Sequence, residues 1–301
     1  MSAPYHYKAF GLNILSDFAV RTLPDMPKAT PDARIQIRDI GKPFEASSVT
    51  VGKRDWQADG EKLLLDIPDI ARFLIAKGKE IWIESAPSAD AQDIEAYLIG
   101  SAFAALLQQR ELLTLHASAI ETPKGAVLFL GKSGAGKSTL LSAMLTRGYA
   151  MISDDISALQ FDGSETPKVL PAFPTRRLTK KAMSFFDIAS GGLTPMRADK
   201  DKYLVPAPLF CEHPRPLHRA YLLHPQDGSP IDVRDLSAAE QFQYLTRFTF
   251  RRNYYKGLGL EAFSFQAVTT LAKNNSLTKI VRPTDTLEIH ELADRVEQDL
   301  L

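Results

Sequence analysis

The residues of this chain best able to do chemistry together are Gly131, Lys132, Ser133, Gly134, Ala135, Gly136, Lys137, Ser138 and Thr139. Their spacing is G-x-x-x-x-G-K-[ST], the phosphate-binding loop of P-loop NTPases. Gly131, Gly134 and Gly136 let the backbone turn its N–H groups inward. Those donors, with the positive end of a following helix, face an anion. Lys137 then reaches the β- and γ-phosphates of ATP, and the Ser138 hydroxyl binds Mg²⁺. A second acidic group follows: Asp154 lies 17 residues after Lys137, with Asp155 next to it. One carboxylate there can hold Mg²⁺, directly or through water, and the other can accept a proton from an attacking hydroxyl. The plainer use of such a pair is a turn or a helix cap.

Other residues are weaker candidates. His116 lies 15 residues before Gly131; it is either a satisfied structural histidine or a group near the transferred phosphoryl. Arg176 and Arg177 form a solvated helix face or neutralise transition-state charge. Arg247, Arg251 and Arg252 alternate with Phe248, Phe250, Tyr254 and Tyr255. That patch covers the core at a helix end, or binds an acidic peptide or phosphate. His213, His218 and His224 lack a tight ligand spacing, so no zinc site is expected. Cys211 is the lone cysteine, a small core or loop residue.

The elements that must position these groups can be read around them. Residues 126–130 are a short apolar run, a buried strand, and 140–145 continue as a helix that stops at Gly148. Residues 149–153 make the next buried strand, ending at the acidic pair. That strand is expected beside the phosphate-loop strand, so that both tips meet at one sheet edge, where ligands gather. Residues 112–120 read as one strand containing His116. Residues 156–161 and 168–170 form a hairpin, 175–186 a helical stretch, and 190–201 a polar, mobile loop. A strand is expected around 219–223. Residues 236–249 read as a helix with Ser237 and Glu240 spaced as a capping box. Helices at 259–273 and 286–300 enclose a short strand at 278–282. In front of all this, residues 1–88 form a β-rich unit, with strands at 5–10, 12–15, 33–38, 63–67 and 80–84. A long helix over 89–110 leads into the phosphate-loop unit, giving two domains, 1–88 and 89–301.

Composition sets outer bounds. The 301 residues carry 36 basic and 36 acidic side chains, a net charge of zero. A general attraction to nucleic acid or to anionic membrane is therefore not expected. No run of 18 apolar residues occurs, and residues 1–17 do not have the order of a signal peptide. A reducing, cytoplasmic setting is the default for a single cysteine.

With these residues in view, the chain resembles a known family. His116-Ala117-Ser118-Ala119-Ile120, the loop 131–139, Arg147-Gly148-Tyr149 and Ser153-Asp154-Asp155 look like the catalytic domain of HPr kinase/phosphorylase. The short HPr kinase-like serine kinases of bacteria, some of which accompany lasso and other ribosomally made peptides, are the nearest in kind. The resemblance implies an α/β fold: the P-loop kinase core of the HPr kinase and phosphoenolpyruvate carboxykinase type. It makes Asp154 the base that takes the proton from a serine hydroxyl, with His116 an active-site residue. Lys137 and Ser138 hold ATP and Mg²⁺, and Asp155 assists with the metal. It also implies a protein or peptide acceptor bearing a serine, such as a precursor peptide's terminal serine, and a homo-oligomer. The family's glycine-rich segment with its metal-binding glutamate has no counterpart here; residues 169–177 stand in its place. The competing readings are a simple P-loop ATPase and a non-catalytic nucleotide-sensing module. Residues 189–192 look superficially like the signature of transport ATPases, and no guanine-reading Asn-Lys-x-Asp occurs.

Overall fold

The computed structural model describes residues 4–44, 50–51, 55–164, 166–189, 191–193, 195–196, 201–227, 231–274, 277–283 and 289–300. It is a mixed α/β structure with two large sheets. The front sheet holds β1 (Tyr5–Ala9), β2 (Leu12–Ser16), β3 (Ala33–Ile37), β4 (Thr50–Val51), β5 (Trp56–Ala58), β6 (Lys62–Ile67), β7 (Ala71–Ala76) and β8 (Glu80–Ser85). Their order is β1-β2-β3-β8-β7-β6-β5-β4. The β2–β3 and β3–β8 pairs are parallel; the others are antiparallel. The turn at Gly11 joins β1 to β2 in register, as the break in the apolar pattern predicts. β4, β5 and β7 are not among the strands expected from the sequence.

The expected helix over 89–110 is present but not uniform. It comprises α1 (Ala91–Tyr97), a π turn (Leu98–Ala102) and α2 (Phe103–Gln108). Asp90 caps its start by accepting from the Gln92 N–H at 2.7 Å, which satisfies one of the orphan donors of a first turn. The residues from Leu98 to Gln108 are all buried.

The second sheet gathers β9 (Leu113–Leu115), β10 (Ala117–Thr122), β11 (Gly125–Leu130), β12 (Ala150–Ser153), β13 (Ser157–Gln160), β14 (Lys168–Leu170), β17 (Arg215–Pro225), β18 (Asp232–Asp235) and β19 (Leu277–Arg282). β17 is its spine, parallel to β11 and β19 and antiparallel to β14. Period-two alternation sorts β11 between two cores. Val127 and Phe129 join the core under α3 (Lys137–Thr146) and α8 (Ile289–Leu300). Ala126, Leu128 and Leu130 join the core under α5 (Ala238–Phe248) and α7 (Glu261–Asn274). On α8 the inward residues include Leu292, Val296 and Leu300, one helical face; the expected inward Leu287 lies outside the described residues. The capping box on α5 is formed as read, Ser237 with Glu240. α6 (Asn253–Gly257) connects α5 to α7.

Three expectations are corrected. First, residues 112–120 are not one strand: β9 pairs with β13, β10 pairs with β11 and β12, and His116 sits at the break. Second, β12 is not beside β11; β10 lies between them. The reason is local: a tight turn between Thr122 and Gly125 zips β10 onto β11 over six residue pairs. A short loop closes at less entropic cost than the longer connection to β12. Third, the stretch from 175 opens as a strand, β15 (Thr175–Leu178), paired with β16 (Tyr203–Pro206). Helix α4 (Lys180–Phe185) starts only after Thr179, whose hydroxyl accepts from the Ala182 N–H. The loop expected over 190–201 lies largely outside the described residues.

The apolar cores are shared between the sheets. Ile156, Ala158, Leu170 and Phe173, from the region of the second sheet, pack in one cluster with Phe10, Phe73 and Phe103.

Candidate active site

β11 delivers the chain to the glycine loop from a fully buried strand. Gly131 has φ 153°, and a Cβ there would lie 2.9 Å from the Leu223 carbonyl oxygen. Only glycine fits that exit from the sheet. Gly136 takes the left-handed region at φ 97° just before the first residue of α3, Lys137. Strand, loop and helix thus form in the order that an anion cradle requires.

Lys137 is 6% exposed and folds back over the loop. Its Nζ donates to the carbonyls of Gly131 (2.9 Å) and Lys132 (3.2 Å), and to His116 Nε2 at 3.1 Å. His116 Nδ1 is 2.9 Å from the Asp155 carbonyl oxygen, so Nδ1 carries the hydrogen and Nε2 is free to accept. This network holds the imidazole neutral. Its pKa is lowered, mainly by burial and further by the Lys137 charge, while Asp155 works the other way. Burial also lowers the Lys137 pKa, to about 8, against the pull of Asp154 and Asp155.

The two acidic residues occupy different places. Asp154 is 5% exposed. Its Oδ1 accepts from Ser118 Oγ (2.6 Å) and Ser138 Oγ (2.9 Å), and its Oδ2 accepts from the Arg177 N–H (2.8 Å). Asp155 has φ 71°, a conformation uncommon away from glycine. That backbone turn swings its side chain to the cleft, where it pairs with the Arg177 guanidinium and lies 3.5 Å from His116 Nδ1. Burial alone would raise the Asp155 pKa. The charge of Arg177, with Lys202 and Lys137 behind it, outweighs that effect and lowers it.

His116, Ser133, Gly134, Gly136, Lys137, Ser138, Thr139 and Asp155 line one cleft of about 150 Å³. Of the other loop residues, Gly131 and Ala135 are buried, while Lys132 is exposed. Asp154 stands behind Ser138, off the cleft surface. β12 therefore reaches Ser138 across β10 without flanking β11.

The arginine pair is not a solvated face. Arg176 is 6% exposed, and its Nε has no hydrogen-bond partner among the described residues. Arg177 lines the cleft, and Lys202 faces it too. Sequence reasoning missed three further residues. Ser118 is a buried hydroxyl flanked by Ala117 and Ala119 in β10, which is the signal that could have marked it. Arg282 ends the parallel strand β19, and its Nε and Nη2 donate to the Ala135 carbonyl at 3.2 and 2.9 Å. It thereby clamps the loop from outside. Lys202 had no readable signal.

The oxygens of Ser138 and Asp154 are a hard donor set of the kind that Mg²⁺ accepts, with waters completing the shell. Among the described residues no group of three or more His, Cys, Asp or Glu converges as a metal centre. No helix there is long and apolar enough to cross a membrane.

No protein-family model matches the sequence, and no curated protein does. Among solved structures the chain is similar to the Hpr(Ser) kinase/phosphatase from Coxiella burnetii. The two are 16% identical with a TM-score of 0.32, over 62% of this chain and 91% of that one. A superposition this loose does not carry the reading of the site, which rests on the side chains described above.

Proposed function

We propose that this chain is an ATP-dependent kinase that transfers the γ-phosphoryl group to a serine hydroxyl of a protein or peptide. The observation that carries the proposal is the convergence of Lys137, Ser138, His116 and Asp155 on one cleft, with Asp154 fixed behind Ser138. The loop N–H groups and Lys137 bind the β- and γ-phosphates. The cleft is smaller than the few hundred Å³ that enclose a whole small ligand, so the phosphates enter it and the nucleoside lies outside. Ser138 and Asp154 would hold Mg²⁺, which would supply neutralisation of the phosphate charge.

In this proposal the carboxylates exchange the roles that the resemblance implies. Asp154 already accepts three hydrogen bonds and does not line the cleft. Asp155 does line it and is ionised at neutral pH. When the γ-phosphoryl group enters, Arg177 turns its guanidinium to the phosphoryl oxygens and releases the Asp155 carboxylate. Asp155 takes the serine proton as the new O–P bond forms and the bond from Pγ to the ADP oxygen breaks. His116 holds Lys137 and the Asp155 backbone in register. Residues 89–301 carry this chemistry, and no described residue of the unit 1–88 lines the cleft.

Incubation with ATP labelled at the γ-position tests the proposal. Label on serine is the expected result. Free phosphate alone means an ATPase, and bound, unspent ATP means a nucleotide sensor; either would overturn it.

A further inference from the structure

The basic-aromatic patch resolves into two parts. Phe248, Tyr254 and Tyr255 turn into the cores, whereas Arg247, Arg251 and Arg252 stay exposed. The three arginines line a separate cavity of about 780 Å³. Its walls are Trp56 from β5, Tyr97 and Ser101 from the long helix, and Phe250 and Tyr254 beyond α5; Asp55 is the single carboxylate among the described lining residues, against the three arginines. None of the three guanidiniums has a carboxylate within salt-bridge distance among the described residues.

Two independent features mark this place as built. The helix passes through a π turn, Leu98–Ala102, that includes Ser101; π turns concentrate at functional sites. Arg251 carries φ 50°, a costly backbone state that persists only where its surroundings hold it. Here its Nη2 donates to Ser101 Oγ at 2.6 Å, and its guanidinium lies 5.6 Å from the Phe250 ring centre.

The cavity is also tied to the catalytic cleft. The His116 N–H donates to the Phe248 carbonyl at 2.7 Å, and the Phe250 N–H donates to the Thr114 carbonyl at 2.8 Å. The Phe250 ring lies 5.9 Å from the His116 ring. Phe250 is therefore a partition with the cavity on one side and His116 on the other.

We infer that this cavity docks an acidic segment of the acceptor polypeptide, its carboxylates on Arg247, Arg251 and Arg252 and its apolar stems against Trp56, Tyr97 and Phe250. Arginine clusters beside aromatic walls are a recurring means of recognising acidic motifs. A nucleic acid is read by a basic stripe along a face, whereas the three arginines here are confined to one cavity that also holds Asp55. That the occupant belongs to the acceptor rests on the kinase reading; that it is an acidic peptide does not.

The test is fluorescence anisotropy of fluorescein-labelled hexaglutamate with the full-length chain, without ATP. Labelled hexalysine and a labelled twelve-residue oligothymidine serve as comparisons. Saturable hexaglutamate binding is expected. It weakens at least tenfold in Arg247→Glu/Arg252→Glu, a pair of exposed positions whose exchange leaves MgATP binding unchanged. Arg251→Gln, which keeps a donor toward Ser101, weakens it to a lesser degree. Absence of saturable binding overturns the inference, as does binding indifferent to charge reversal or tighter binding of the oligothymidine. Serine phosphorylation without hexaglutamate binding defeats this inference alone. Hexaglutamate binding without phosphorylation leaves the docking site standing and removes the kinase.

Discussion

Lys137 offers a direct test of the cleft through pH. Burial holds its pKa at about 8 in the free protein, against a reference of 10.5. A phosphate bound on the loop supplies the counter-charge that burial removed, so the pKa in the complex returns to at least the reference value. Binding then favours the protonated amine. Between pH 7.5 and 9.5 the free lysine goes from mostly charged to mostly neutral, while in the complex it stays charged. The affinity for MgATP should fall roughly twentyfold over that window, close to 2 kcal/mol. Binding at pH 9 should take up nearly one proton. Isothermal titration calorimetry in two buffers of different ionisation enthalpy reads both quantities. Lys137→Arg, which does not titrate there, should show a flat profile whatever its absolute affinity. The sign for folding is separate. The unfolded chain holds this proton to higher pH than the folded one, so the free protein gains stability as pH rises from about 8 toward 10.5, by up to about 3 kcal/mol. An affinity that stays level from pH 7.5 to 9.5, or a release of protons on binding, would refute the placement of this amine against the phosphates.

Five substitutions probe the remaining parts. Asp155→Asn should abolish phosphoryl transfer while leaving MgATP affinity within a few-fold, whereas Asp154→Asn should raise the Mg²⁺ concentration needed for half-maximal binding; single-turnover kinetics and Mg²⁺ titrations separate them. Ser118→Ala removes a buried hydrogen bond to a carboxylate and should cost about 1.5–3 kcal/mol in urea unfolding. Gly131→Ala forces a methyl against the Leu223 carbonyl and should cost about 1–3 kcal/mol of stability, with loss of nucleotide binding. Arg282→Met should weaken MgATP binding about tenfold, equivalent to one lost hydrogen-bond clamp, with little change in the thermal midpoint.

The legible parts of this chain were those in which a signal is local. The loop 131–139 announces its strand, turn and helix because glycine positions and the lysine are fixed by the geometry itself. The capping box of Ser237 and Glu240 is likewise a rule within four residues. What depends on a distant partner was not legible. Residues 175–178 form a strand only because residues 203–206 lie alongside. The order β12-β10-β11 depends on which neighbour claims the edge of β11. The break at His116 follows from β9 and β10 serving different partners. Arg177, read from its neighbours in sequence, looked like solvent-facing charge; its place beside Asp155 is set by that strand pairing.

The mixed cluster that joins Phe10 and Phe73 to Phe103 and Phe173 bears on how this chain can be cut. A fragment beginning at residue 89 would carry a bare oily wall where the front sheet had been, with Leu98, Phe103 and Leu107 turned to water. Such a fragment would clump before it could be assayed. The front sheet is thus a retaining wall for the half that bears the cleft, and a lesion in β1 or β7 would silence chemistry it never touches.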